Sequence, residues 1–173
     1  MVTQLLSLTE CQEIMDGLSK TDAITEHSSY YGGSLAWIMP ECAKKYLDRA
    51  TTEIIKTYDI KSLTNIYVRT YTPHTVLKMH TDQPGYDVTM TVCIANSDPD
   101  FTLCVSSRAH PEPWPFNSEG DLTKFYEQSE CYDLKPGECV SMLGRRYPHW
   151  RPEKYHNSDS TYIFYSWQIH DYQ

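Results

Sequence analysis

The sequence predicts a mainly β protein with N-terminal helices, its strands closing into a jelly-roll or cupin-like core. Three observations predict this. Apolar residues at helical spacing fall mostly within the first 60 positions. From Asn65 onward the chain reads as short strands separated by turn residues. His80-Thr81-Asp82 is followed 67 residues later (149 − 82) by His149, within Tyr147-Pro148-His149-Trp150-Arg151. Residues i and i+2 of a strand share a face, so His80 and Asp82 can reach one point. A third group so distant in sequence comes alongside most simply in a closed or sandwiched antiparallel barrel.

The elements follow in order. Thr9 with Gln12 forms a capping box for a helix running to Leu18. Residues His27 to Trp37, with Tyr30-Tyr31-Gly32-Gly33, read as a loop or short strand at a pocket border. A longer helix spans Pro40 to Tyr58, with Ala43, Tyr46, Leu47, Ala50, Ile54 and Ile55 as its apolar stripe. Asn65 to Tyr71 is a strand with Tyr67, Arg69 and Tyr71 on one face and Ile66, Val68 and Thr70 on the other. Pro73 ends it, and Val76 to His80 leads into the ligand pair. Tyr86 to Asn96 carries Val88, Met90, Val92 and Ile94 on one face, and Phe101 to Ser107 is a further strand. Residues 108 to 130 are irregular: Pro111, Pro113 and Pro115 break any ladder, Trp114 and Phe116 add bulk, and Asp121 to Gln128 suits a short helix. This stretch reads either as a substrate lid or as a loop packed outside the barrel. A turn at Asp133 to Glu138 enters the strand Cys139 to Leu143, and Ser160 to Ile169 is the last strand.

Two histidines and one carboxylate hold non-haem Fe(II) on one face and leave its other positions open. His80, Asp82 and His149 are therefore the candidate metal ligands. His156 is the rival to His149, set aside because Asn157-Ser158-Asp159 marks a loop; His74, His110 and His170 read as surface or turn residues.

Arg69-x-Tyr71-x-Pro73, then Leu77-x-x-His80-x-Asp82, then a long apolar strand, resembles the core of 2-oxoglutarate/Fe(II)-dependent oxygenases. The prolyl-4-hydroxylase-like group shares this order. Leu134-Lys135-Pro136-Gly137-Glu138 resembles the Pro-x-Gly element before the distal histidine, and His149-Trp150-Arg151 resembles a variant of the distal motif. The resemblance covers roughly residues 63 to 169. It implies a double-stranded β-helix over 63–169, helical support over 1–60, and one oxygenase domain over 1–173. It also implies Fe(II), 2-oxoglutarate as co-substrate, molecular oxygen, and hydroxylation of a peptidyl side chain or small metabolite. Retention of Asp82 argues against the halogenating relatives, which replace that carboxylate.

The chain departs from the family at one point. Members place an Arg or Lys about ten residues past the distal histidine to grip the far carboxylate of 2-oxoglutarate. Here Asn157 to Tyr162 holds no base. The candidate replacements are Arg151, two residues from His149; Arg69, on the strand face of Tyr71; and Lys78, with the parity of His80. Tyr71 is expected to line the co-substrate pocket. Plainer readings stand beside these: Arg69 pairing with a buried carboxylate, Arg151 as a solvated base beside Glu153. The missing base also keeps open a cupin-like metal-binding protein without 2-oxoglutarate turnover.

At 173 residues the chain is long enough for one substantial core. Its net charge of −8 and pI near 5.3 disfavour nucleic-acid binding, and demethylation of nucleic acid with it. Arg145-Arg146 reads as loop decoration or as an attractor of acidic substrate. The cysteines at 11, 42, 93, 104, 131 and 139 form no Cys-x-x-Cys pair, so a structural zinc site is unsupported. Cys93 and Cys104, in apolar strands, read as buried thiols. No secretory pattern precedes Thr9 and no apolar run reaches membrane-spanning length, so a reducing cytoplasm is the expectation, with disulfides left open by the even count.

Overall fold

The computed structural model describes residues 1–27, 33–73, 75–96, 98, 100–110, 122–152 and 158–170. Among the described residues eleven strands and four helices follow in the order β1 (Thr3–Gln4), α1 (Leu8–Leu18), β2 (Ile24–His27), β3 (Gly33–Ile38), α2 (Glu41–Lys44), α3 (Leu47–Ile54), β4 (Ile60–Tyr71), β5 (Leu77–His80), β6 (Val88–Ala95), β7 (Leu103–Ser106), α4 (Thr123–Tyr126), β8 (Ser129–Tyr132), β9 (Glu138–Met142), β10 (His149–Arg151) and β11 (Ser160–Ile169). They form two antiparallel sheets, β1-β9-β6-β11-β4-β3-β2 and β5-β10-β7-β8. This is the expected mainly β, jelly-roll architecture of a double-stranded β-helix.

Strand parity divides the molecule into layers. Ile66 and Val68 of β4, Val88, Met90, Val92 and Ile94 of β6, and Ile163, Tyr165 and Trp167 of β11 face one core. Cys11, Ile14 and Leu18 of α1 and Ala50 and Ile54 of α3 complete it, so the helices brace the outer face of the large sheet. The opposite residues of the same strands, Tyr71, Cys93, Tyr162 and Phe164, join Leu77, Leu103 and Met142 in a second core facing the small sheet. Covered on both faces, β6 is buried along nearly its whole length. Gly137 (φ 88°) turns the chain into β9, and a Cβ there would lie 2.1 Å from the Leu6 carbonyl oxygen.

The helical region departs from expectation at three places. The capping box is Ser7 with Glu10, not Thr9 with Gln12: the Ser7 hydroxyl accepts the Glu10 N–H and the Glu10 carboxylate accepts the Ser7 N–H. Arg49 selects this frame by reaching Glu10 with both terminal nitrogens, at 2.9 and 2.8 Å. The expected helix over 40–58 is two helices. Tyr46 (φ −105°, ψ 7°) breaks it, its ring buried and its hydroxyl donating to Glu13 of α1. Ile55 consequently lies exposed rather than on the apolar stripe. β2 and β3 pair antiparallel, so the stretch expected as a loop or short strand holds a strand at 33–38; residues 28–32, Tyr30 and Tyr31 among them, lie outside the described residues.

The cap carries a pH signature. The Arg49 side chain first, and the Ser7 backbone N–H second, hold the Glu10 carboxyl down from 4.5 to about 2. A carboxyl depressed by folding stabilises fully above its unfolded value, and that contribution is lost as pH falls toward the folded one. Glu10→Gln is therefore expected to lower the urea midpoint at pH about 7, with the gap narrowing by roughly half near pH 3. An equal gap at both pH values would remove the ionised cap from the stability of α1.

Two further strands escaped sequence reasoning, β1 on the edge of β9 and β8 on the edge of β7. The register of β8 sets Cys131 opposite Cys104, and the two form a disulfide. Cys104 is thus not the expected buried thiol. Cys93 is one, its thiol pushed up to about 12 by burial. The helical turn expected within 121–128 is α4; residues 111–121, with the three prolines, lie outside the described residues.

Candidate metal and anion site

Between the two sheets lies a small cavity lined by residues of both. Its small-sheet wall is set by β5 and β10, where His80 pairs directly with His149 and Leu77 with Arg151. Three steps of β5 thus lie opposite two of β10, so the ladder holds a bulge. The extra residue turns both His80 and Leu77 into the cavity and leaves Lys78 exposed, which removes Lys78 from the cavity wall. The rings of His80 and His149 stand 4.3 Å apart.

Asp82 follows β5 and is set by the β9–β10 connection, where its N–H donates to the Gly144 carbonyl at 2.9 Å. A Cβ on Gly144 would lie 2.0 Å from Asp82 Oδ2, so only glycine lets the carboxylate sit here. Asp82 Oδ1 lies 3.6 Å from His149 Nε2, while Oδ2 accepts the Thr89 hydroxyl at 2.9 Å. Ligand atoms of His80, Asp82 and His149 all fall within 4.8 Å of one another. The structure brings together the three residues singled out as ligands; His156 lies outside the described residues.

The histidines are pre-set as ligands. His80 Nδ1 lies 2.8 Å from the Lys78 carbonyl and His149 Nδ1 lies 3.1 Å from the Tyr147 carbonyl. A carbonyl only accepts, so each Nδ1 carries hydrogen and each Nε2 is the nitrogen left to reach a metal. Burial, then the neighbouring His149, pushes His80 down to about 4, which keeps it neutral. Burial pulls His149 the same way, but the Asp82 carboxylate outweighs it and leaves His149 above its ordinary value. Asp82 itself is raised by burial but brought net below the usual carboxylate range by His149.

The second feature is Arg151, also facing the cavity and only 1% exposed. Its guanidinium sits among three rings, 3.9 Å from Tyr162, 4.6 Å from Phe101 and 5.1 Å from Tyr71. Nη1 donates to the Phe101 carbonyl at 3.0 Å, whereas Nε and Nη2 find no hydrogen-bond partner among the described residues. Arg151 is therefore not a solvated base. A buried guanidinium costs several kcal/mol to desolvate. Cation–π contacts of roughly 2 kcal/mol each offset part of that, and the two vacant donors mark where an anion would offset more.

Arg69 and Tyr71 also line the cavity, the Arg69 guanidinium lying 5.5 Å from the Tyr67 ring and 5.9 Å from Tyr71. Tyr67 and Phe164, paired across β4 and β11, stack at 4.6 Å as an apolar surface beneath them. Among the described residues, Asp82 is the one acidic side chain on a wall that carries two arginines. Arg145 turns away to pair with Asp87 at 3.1 Å and is no part of this wall.

Sequence reasoning missed Thr89, Gly144, Phe101 and Tyr162. The parity of β6 carried a signal for Thr89: with Thr91 it alternates against Val88, Met90 and Val92, placing hydroxyls on the face away from the apolar core. No signal marked Gly144, whose role depends on a contact 62 positions away (144 − 82).

No family model matches the chain, and no curated protein matches it by sequence. Solved structures do match in shape. HygX from Streptomyces hygroscopicus, with nickel, 2-oxoglutarate and hygromycin B bound, superposes with a TM-score of 0.74 at 13% identity, over 98% of this chain and 82% of that one. A Pseudomonas putida prolyl-4-hydroxylase gives 0.70 at 10% identity, over 99% and 92%. A prolyl hydroxylase from Trichoplax adhaerens, in complex with a hypoxia-inducible-factor peptide fragment, gives 0.66 at 14%, over 96% and 82%. Two sheets, helices on one face and a cavity between the sheets thus assemble into a known architecture: this chain has the fold of the 2-oxoglutarate/Fe(II) oxygenases, prolyl hydroxylases among them.

Proposed function

We propose that the chain is an Fe(II)- and 2-oxoglutarate-dependent dioxygenase that hydroxylates a small metabolite or a peptidyl side chain. Residues 1–60 support an oxygenase core over 63–169, the whole chain acting as one domain. The observation that carries this reading is the joint presence, in one cavity, of an open His-Asp-His set and a buried arginine edge with two vacant donors. The first suits Fe(II) and the second suits a carboxylate. The bound small-molecule and peptide ligands of the matching structures support both substrate classes without choosing between them.

In this reading His80 and His149 hold Fe(II) through Nε2, and Asp82 supplies an anionic oxygen. Arg151 receives the far carboxylate of 2-oxoglutarate on Nε and Nη2, taking the role a base on the last strand plays in relatives. β11, Ser160–Ile169, carries no Arg or Lys. Tyr71, Phe101 and Tyr162 hold the guanidinium plane, Arg69 adds positive potential, and Leu77, Leu103 and the Tyr67–Phe164 stack keep water from the reacting centre. When bound, iron and co-substrate supply oxidative decarboxylation coupled to C–H hydroxylation; the protein supplies position, charge and shelter.

Anaerobic titration of the Fe(II)-loaded chain with 2-oxoglutarate tests the proposal. A visible metal-to-ligand charge-transfer band that saturates with co-substrate is expected. Its absence with iron shown to be bound removes 2-oxoglutarate and leaves a cupin-like metal-binding protein.

A further inference from the structure

The two oxygens of Asp82 have different surroundings. Oδ1 faces His149 Nε2 at 3.6 Å, while Oδ2 accepts the Thr89 hydroxyl at 2.9 Å. Thr89 has one hydrogen to give, so its 3.1 Å contact with Ser166 runs the other way, with the Ser166 hydroxyl donating to Thr89 Oγ1. Ser166 is fully buried and Thr89 is 4% exposed, so the bond between the two hydroxyls is shielded from water, while the Asp82 side chain is 18% exposed. Gly144 closes the other side, since any Cβ there would strike Oδ2. One carboxylate oxygen is thus tied back by a buried hydroxyl relay, Ser166 to Thr89 to Asp82, and the other is left toward the histidines.

From this geometry we infer that Thr89 is a positioning residue that restricts Asp82 to ligation through one oxygen. The inference rests on the reading of His80, Asp82 and His149 as the Fe(II) ligands. Its significance lies in the count of open positions. A two-histidine, one-carboxylate set keeps half of an octahedral ion free only while the carboxylate gives a single oxygen. A keto acid occupies two positions and oxygen needs another. A carboxylate that swung to give both oxygens would take one of these. Thr89 prevents the swing because Oδ2 would have to surrender a charge-assisted hydrogen bond from a buried donor.

The probe is Mn(II) alone, titrated into wild type, Thr89→Val and Thr89→Ser, with water-proton relaxation read per bound ion as a count of exchangeable metal waters. Thr89→Val keeps the shape and removes the donor. It is expected to weaken Mn(II) binding by about 10- to 100-fold, the usual effect of removing a group that orients a ligand. It is also expected to lower relaxation per bound ion to about two-thirds of wild type, as one of three open positions is lost. Thr89→Ser, which restores the hydroxyl, is expected to recover both readings. Unchanged relaxation per ion in Thr89→Val overturns the inference whatever happens to affinity, because a merely structural threonine would not alter the water count. If Thr89→Val does not fold, Ser166→Ala is read in its place; it removes the outer donor and is expected to move both readings the same way by less, and no movement overturns the inference. Wild type that binds neither Mn(II) nor Fe(II) overturns the underlying metal reading together with this one.

Discussion

Replacing His149 with alanine is expected to raise the Fe(II) dissociation constant by more than about 100-fold, beyond the range seen when only an orienting group is removed. The fold should survive. His149 is 4% exposed and lies on a three-residue strand whose partners, β5 and β7, pair through the backbone. Its ring makes one hydrogen bond to the Tyr147 carbonyl, and the other nitrogen faces the Asp82 carboxylate. Removing the ring leaves His80 and Asp82 as two donors, too few to hold a labile divalent ion tightly. Isothermal titration under anaerobic conditions, beside far-ultraviolet circular dichroism, separates lost metal from lost fold. Unchanged affinity in a folded variant moves the role to His156 or ends the assignment of this site.

Arg151→Met is expected to split function from stability. A buried, bidentate guanidinium–carboxylate contact, once broken, costs about 2–5 kcal/mol, or between roughly 30-fold and several thousand-fold in the 2-oxoglutarate dissociation constant. Iron affinity should stay near wild type, since Arg151 touches no ligand atom. Without co-substrate the variant should be as stable as wild type or more so. The guanidinium leaves Nε and Nη2 unpaired among Tyr71, Phe101 and Tyr162, and apolar side chains of similar volume often replace buried charge at no cost. The pair of readings is diagnostic: a higher melting temperature together with weaker co-substrate binding identifies a residue kept for binding at the expense of the fold. Arg69→Met is the control. If the large shift in 2-oxoglutarate affinity appears there and not at Arg151, the anchor lies on β4.

The legible parts of this chain are those governed by strand parity. Tyr67, Arg69 and Tyr71 were assigned to one face of β4 and Ile66 and Val68 to the other, and they do separate into cavity and outer core. His149 and Arg151 share a face for the same reason. Parity failed at Lys78, because a bulge changes which residues share a face and no local feature of Val76 to His80 announces one. The helix over 40–58 was misread because periodicity placed Tyr46 on its apolar stripe and could not show that Tyr46 would turn toward Glu13 and break the helix. The capping box was misread because two frames fit the same pattern and only Arg49, some forty positions away, chooses between them. The aromatic surround of Arg151 required residues from β4, β11 and the approach to β7, a convergence that no spacing encodes.

The Cys104–Cys131 bond has a consequence for the chain as a covalent object. The two cysteines are 27 positions apart, and the bond turns that stretch, α4 included, into a closed ring hanging from β7. A ring can be opened once without falling into two pieces. A single backbone cut between Cys104 and Cys131 would leave the N-terminal part, with His80 and Asp82, tethered to the part bearing His149. Constraint on the disordered chain follows as well, since a closed stretch of this length has fewer shapes to explore before folding, worth about 3.6 kcal/mol in the chain-entropy account. The one candidate ligand that arrives last in the sequence is thereby leashed to the two that arrive first.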